Sequence, residues 1–175
     1  MISDMKRQVE AALNVLIGKI LWGAGRAADI EWFQFGKKQT IVTEKGIHKD
    51  VGEYAVHVQC AWRISSSSGI FVASQDMYIS ATNSVQQPED FDWDQPGNNR
   101  CDVRISMLLN GRESTPLLVN NVSADSSGGF CLSLSDYYSL EVFPDSSIDY
   151  ECWRLFQPYK DGEHFIVTGD GIERS

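Results

Sequence analysis

Asp90, Asp92 and Asp94 stand at the alternate spacing with which a calcium-binding loop begins. Such a loop also requires glycine at position 95 and a bidentate glutamate at position 101, where this chain has Gln95 and Cys101. Lacking the tight turn and the closing ligand, the motif fails for calcium. With Glu89 and Trp93, the aspartates instead make a candidate partner-binding surface: carboxylates to meet a basic protein and an indole to anchor it. The plainer reading is a solvated acidic linker.

Trp62-Arg63 and Trp153-Arg154 form a second candidate. Indoles beside guanidiniums can stack a ligand or hold an anion, and a symmetric pair of them would line a ligand cleft. Equally, the tryptophans fill a core while the arginines pair with acids across a sheet.

Cys60 and Cys152 flank the same tryptophans, and His57 or His164 would complete a zinc site. Cys60 precedes its tryptophan by two residues and Cys152 by one. On strands of period two, these thiols face opposite ways relative to their tryptophans unless a bulge intervenes. No metal is expected, and buried reduced thiols are the simpler assignment. Gly23-Ala24-Gly25-Arg26-Ala27-Ala28 matches G-x-G-x-x-A, but the residues that follow, IEWFQF, read as a strand. A dinucleotide site needs a helix there, so a glycine turn is expected and no cofactor. Neither a nucleophile elbow nor a zinc-protease motif accompanies His48, His57 or His164, so the reading is of a protein that is not an enzyme.

The elements that must position these residues are mostly strands. Met5, Val9, Ala12, Leu13 and Leu16 recur at helical spacing, which predicts a helix from about residue 3 to 15 with Ser3 as N-cap. From Glu53 to Ile64, alternation places Tyr54, Val56, Val58, Cys60, Trp62 and Ile64 on one face of a single strand. Residues 81–99 form an acidic loop, after which CDVRISMLLNG fits either helix or strand. Further strands run through PLLVNNVSA, through a hairpin about SDY, and through ECWRLFQP and HFIVTG.

CAWRI in the first half answers CWRLF in the second, and FVASQD answers FIVTGD. A helix opens the first half, and the parallel tips the ambiguous segment after residue 100 toward helix. The expectation is one α+β domain, mainly antiparallel β with two helices, built by internal duplication of a helix-plus-four-strand unit. Its halves are 1–80 and 100–175, joined by the loop 81–99.

The chain has 175 residues, 42% of them hydrophobic, which is enough to bury a core without staples. A formal charge of −9 opposes nucleic acid as a partner, since phosphate binding needs a basic face. It also repels anionic membranes while favouring encounter with a basic protein. No apolar run reaches transmembrane length, and the four cysteines show no C-x-x-C spacing, so a cytoplasmic protein with reduced thiols is expected. Exposed sheet edges leave monomer and homodimer both open.

At HVQCAWRI, LEVFPDSS, ECWRLFQP and HFIVTGDGIE the sequence resembles a group of small uncharacterised bacterial proteins, some of which resemble immunity proteins encoded beside secreted toxins. The resemblance rests on strand and turn patterns and transfers no functional residue. It implies a non-enzymatic binding protein of immunity type that contacts a basic protein partner through an acidic surface. The alternative is a small-ligand-binding module with its site in the cleft between the two halves.

Overall fold

The computed structural model describes residues 4–82 and 86–175. Helix α1 (Asp4–Leu13) turns Val9 and Leu13 into the core, as its spacing predicts. Ser3, the expected N-cap, lies outside the described residues. A short 3-10 turn (Asn14–Leu16) follows, and Gly18, at φ +80°, ends the helical run in the left-handed region that glycine enters freely. Strands β1 (Ile20–Ala27) and β2 (Ile30–Phe35) then pair as a hairpin turning at Ala28 and Asp29. Gly23 and Gly25 therefore do not make a turn: they lie inside β1. Cross-strand packing is the reason, because the Trp32 indole lies over Gly25 and leaves no room for a side chain.

A two-stranded ribbon of β3 (Gln39–Val42) and β4 (His48–Val51) leads to β5 (Tyr54–Val58), β6 (Ala61–Ser66) and β7 (Gly69–Ala73). The single strand expected from Glu53 to Ile64 is thus two. The alternation itself survives: Val56, Val58, Cys60, Trp62 and Ile64 are all buried. Hydrogen bonding breaks the strand, since β5 pairs with β2 while β6 pairs with β7. At the break the Gln59 and Cys60 amides both donate to the Cys152 carbonyl, at 2.8 and 3.2 Å.

After the loop, α2 (Arg100–Leu109) buries Cys101, Ile105 and Leu108, so the ambiguous segment is helical. The Asn99 side chain caps it by accepting the Asp102 amide at 2.8 Å. The remaining strands are β8 (Leu117–Ala124), β9 (Phe130–Leu134), β10 (Ser139–Phe143), β11 (Glu151–Phe156), β12 (Phe165–Thr168) and β13 (Ile172–Arg174). The turn between β9 and β10 is at Ser135–Tyr137, where the SDY hairpin was expected, with Asp136 and Tyr137 at positive φ.

The fold is α+β and mainly antiparallel, with the main sheet ordered β13-β12-β11-β5-β2-β1-β8-β9-β10-β6-β7. Two wings meet at β1 and β8, which pair at Ile20–Leu118 and Leu21–Leu117, with Gly18 and Lys19 bonded to Val119 just before β1. Six strand spacings, about 29 Å in a flat sheet, separate β5 from β6. The chain crosses between them in two residues, a reach of about 11 Å. The sheet must therefore curl until its wings face each other. Rings confirm the closure: Phe33 of β2 meets Trp62 of β6 at 5.3 Å, and Phe130 of β9 meets Trp153 of β11 at 4.9 Å. One core lies between the wings and draws on both halves of the chain. No helix among the described residues is long and apolar enough to cross a membrane.

Where β1 and β8 diverge, a helix attends each exposed edge. Glu10 of α1 accepts the Ala124 amide of β8 at 3.1 Å, and Lys6 donates to the Ala124 carbonyl at 2.6 Å. On the other side α2 is tied to β1 through Arg26 and Asp102.

Candidate functional site

Between β1–β2 and α2 lies a cleft of about 740 Å³. Its strand wall comes from the first half and its helix wall from the second, with Asp94, Pro96 and Gly97 of the acidic loop along one side. Hydrophobic lining is provided by Ala24, Trp32, Val103, Ile105 and Met107. A largely apolar concavity of this size with a few polar groups is the usual form of a binding site.

Arg26 builds the cleft's rigid corner. Its side chain is 6% exposed. Nε donates to Asp102 Oδ1 at 2.9 Å and Nη2 to Asp102 Oδ2 at 3.2 Å, a bidentate pair. Nη1 reaches Asp94 Oδ1 at 2.8 Å and the Ala28 carbonyl at 3.2 Å. Nη2 also donates to the carbonyls of Trp93 and Asp94 at 3.0 and 2.9 Å. Burial works against the guanidinium's charge, but Asp102 and Asp94 outweigh it and hold its pKa above the ordinary value. All five donors of Arg26 are committed, so it has none to offer an incoming ligand.

Glu31 is the unexpected member. It pairs with Arg26 across β1 and β2, and alternation sets it on the inward face with Phe33 and Phe35. It is 1% exposed and lines the cleft. Among the described residues the one hydrogen-bonding neighbour of its side chain is the Cys101 thiol, 3.9 Å from Oε2 and a weak donor. Burial, followed by the Asp102 charge, pushes its pKa well above the carboxylate range. The Cys101 thiol is raised too, by burial and by Glu31.

The acidic loop divides into two parts. Glu89, Asp90 and Asp92 are exposed, as an acidic surface requires. Asp94 is exposed but bound to Arg26. Trp93 is no free anchor: it packs on the core, 5.1 Å from Tyr78, with the Arg26 guanidinium 5.7 Å from its ring. Asp92 caps its own turn by accepting the Asp94 amide, and no acid, cysteine or histidine cluster fit to hold a metal occurs among the described residues.

Trp62, Arg63, Trp153 and Arg154 are not gathered into the cleft. Both tryptophans are buried, and the Trp153 indole N–H donates to the Gly128 carbonyl at 2.8 Å. Alternation turns Arg63 outward onto Glu141 of β10, at 2.6 and 2.9 Å. Arg154 pairs with Glu151 and meets His164 Nδ1 at 2.9 Å. Glu141 and Arg63 shift apart in pKa because each stabilises the other's charge. His57 and His164 enclose the Phe156 ring at 4.7 and 4.5 Å and do not line the cleft. A bulge between Glu151 and Trp153 buries Cys152 beside its tryptophan, the exception to alternation that the sequence reading allows for.

Sequence reasoning missed Glu31 and Arg26. The available signal was a charge at an inward position of an otherwise apolar strand, Glu31-x-Phe33-x-Phe35. Compared with protein-family models, curated proteins and solved structures, the chain matches none.

Proposed function

We propose that this chain is a non-enzymatic, cytoplasmic binding protein of immunity type, which receives a basic protein partner on its acidic loop and on the cleft beside it. One observation carries the reading: Asp94, Pro96 and Gly97 belong to the loop that displays Glu89, Asp90 and Asp92, and they also wall the cleft. A basic segment laid along the loop therefore meets a concave pocket at once. The net charge of −9 favours such an encounter. Arg26 and Asn99 already hold the loop's base, so little ordering entropy is lost on contact.

The same cleft supports a second reading, a small-ligand module, because it lies between the two halves and has the volume of a ligand site. The strand order further supports descent of the halves from one unit. Each half gives a helix and a three-strand meander (β1-β2-β5 or β8-β9-β10), then sends its next two strands to the opposite wing. On that reading Arg63 of β6 and Arg154 of β11 hold equivalent places, each in the strand beside the last meander strand.

The test is affinity capture from lysate and secreted fractions of the source cell at low salt. The native chain is compared with the combined variant Glu89→Gln, Asp90→Asn, Asp92→Asn, which leaves Asp94 and its bond to Arg26 intact. A basic protein held by the native chain and lost by the variant is the expected result. Equal capture by both would remove the loop from the interface.

A further inference from the structure

We propose that the cleft between β1–β2 and α2 binds an organic cation, an ammonium or guanidinium head on an apolar stem, with Glu31 as its counter-ion. The inference deepens the binding reading by naming the chemistry of what enters the cleft. A lysine or arginine side chain of a protein partner and a free alkylamine share that chemistry.

Three observations converge. The first is an unmatched acid. Glu31 is 1% exposed, it lines the cleft, and among the described residues only the Cys101 thiol lies within hydrogen-bonding reach of its side chain. A buried carboxyl without a strong donor is an open demand for one. The second is that the cation lining the cleft is already engaged: the donors of Arg26 are consumed by Asp94, Asp102 and three carbonyls, and Lys49, 5.7 Å from the Trp32 ring centroid, is not among the residues lining the cleft. An anion entering the cleft would thus find no donor from Arg26 and would be repelled by Asp94 and Asp102. The third is the shape. Trp32, Ala24, Val103 and Met107 offer an aromatic face and hydrocarbon walls, which suit a cation carried on a methylene stem. A metal ion is a poorer fit, since no metal-ligating cluster occurs among the described residues.

Binding has a proton cost that makes it measurable. Burial and the charge of Asp102 on α2 raise the pKa of Glu31 well above its ordinary value, against Arg26 on β1 and Cys101 on α2, so below that raised value the carboxyl keeps its proton. An arriving cation supplies the missing opposite charge, and the carboxyl ionises. One proton leaves for bulk solvent as the cation enters, so the complex gains no net charge. Affinity should therefore rise with pH across the range in which the empty site is protonated.

The experiment titrates the full-length chain with butylammonium and butylguanidinium by calorimetry, in two buffers of different ionisation enthalpy, and repeats the titrations with butanol and butyrate. Expected are saturable binding of the cations with dissociation constants on the order of millimolar, proton release approaching one per site, and weaker binding of the neutral and anionic controls. Glu31→Gln, nearly isosteric with the protonated acid, should weaken cation binding at least about tenfold and abolish the proton release. Trp32→Leu, which keeps the carboxyl, should weaken binding without changing proton release. No cation binding, equal binding by butanol, or unchanged binding in Glu31→Gln would each overturn the proposal. Capture of a basic protein with no binding of either cation would leave the loop as the interface and remove only the cleft chemistry.

Discussion

Arg26 on β1 and Asp102 on α2 are joined by two hydrogen bonds, Nε to Oδ1 at 2.9 Å and Nη2 to Oδ2 at 3.2 Å. The pair spans the two halves of the chain and fixes the acidic loop between them, since Asp102 Oδ2 also accepts the Gly97 amide at 2.8 Å. Breaking it by Arg26→Met leaves Asp102 half-buried without its cation. The expected cost is about 3 kcal/mol, read from urea unfolding. Amide exchange at residues 93–97 should accelerate beyond what global destabilisation explains, because Arg26 donates to the carbonyls of Trp93, shared with Asn99, and of Asp94.

Gly25 is required by its neighbour across the hairpin. A Cβ at this position would stand 2.8 Å from Trp32 Cη2. Gly25→Ala should therefore destabilise the protein by about 1–3 kcal/mol. In the double variant with Trp32→Leu most of that cost should disappear, and a double-mutant cycle by thermal or urea unfolding measures the coupling. Additive effects would mean that the indole does not set the requirement.

Glu31 makes stability depend on pH with a definite sign. Its pKa in the folded state lies above the ordinary 4.5, so the folded chain binds more protons than the unfolded chain as pH rises past that value. Stability is fully present below about pH 4.5 and is lost as pH climbs through the raised value. Glu31→Gln removes this loss. The variant should be more stable than the native protein at pH 7, by on the order of 1 kcal/mol, with the advantage shrinking toward pH 4. Unfolding curves at pH 4 and pH 7 check both parts.

Cys60 and Cys101 should resist modification while the protein is folded. Burial and the nearby Cys152 thiol raise the pKa of Cys60, and burial and Glu31 raise that of Cys101. Both are therefore scarce as thiolates. Mass spectrometry after iodoacetamide treatment at pH 8 should show labelling at these two positions only once urea unfolds the chain.

The arginines that sequence reasoning placed in a cleft have a smaller effect. Arg63 is 40% exposed in its pair with Glu141. Arg63→Ala should cost no more than about 1 kcal/mol and leave cation binding in the cleft unchanged, as urea unfolding and calorimetry will show.

Period and composition were enough to read several of the elements of this protein, though not the ribbon of β3 and β4 or the break between β5 and β6. Helical spacing in α1, alternation through Val56, Val58, Cys60, Trp62 and Ile64, and the turn at Ser135–Tyr137 are local properties, written in side-chain order. The exposure of Glu89, Asp90 and Asp92 was legible for the same reason, because a run of acids and prolines cannot bury itself. The cleft was not. Glu31 and Arg26, paired across one hairpin, are separated from Asp102 along the chain by a ribbon, three strands and a long loop, and no periodicity links positions that distant. Their meeting depends on a sheet curled far enough for two residues to cross from β5 to β6, and on β1 and β8 parting after two pairs. Local chemistry determined which residues face inward; only the closure of the sheet decided which inward residues would stand together, and it left one buried carboxyl lining an open cleft whose arginine is bound to Asp94 and Asp102.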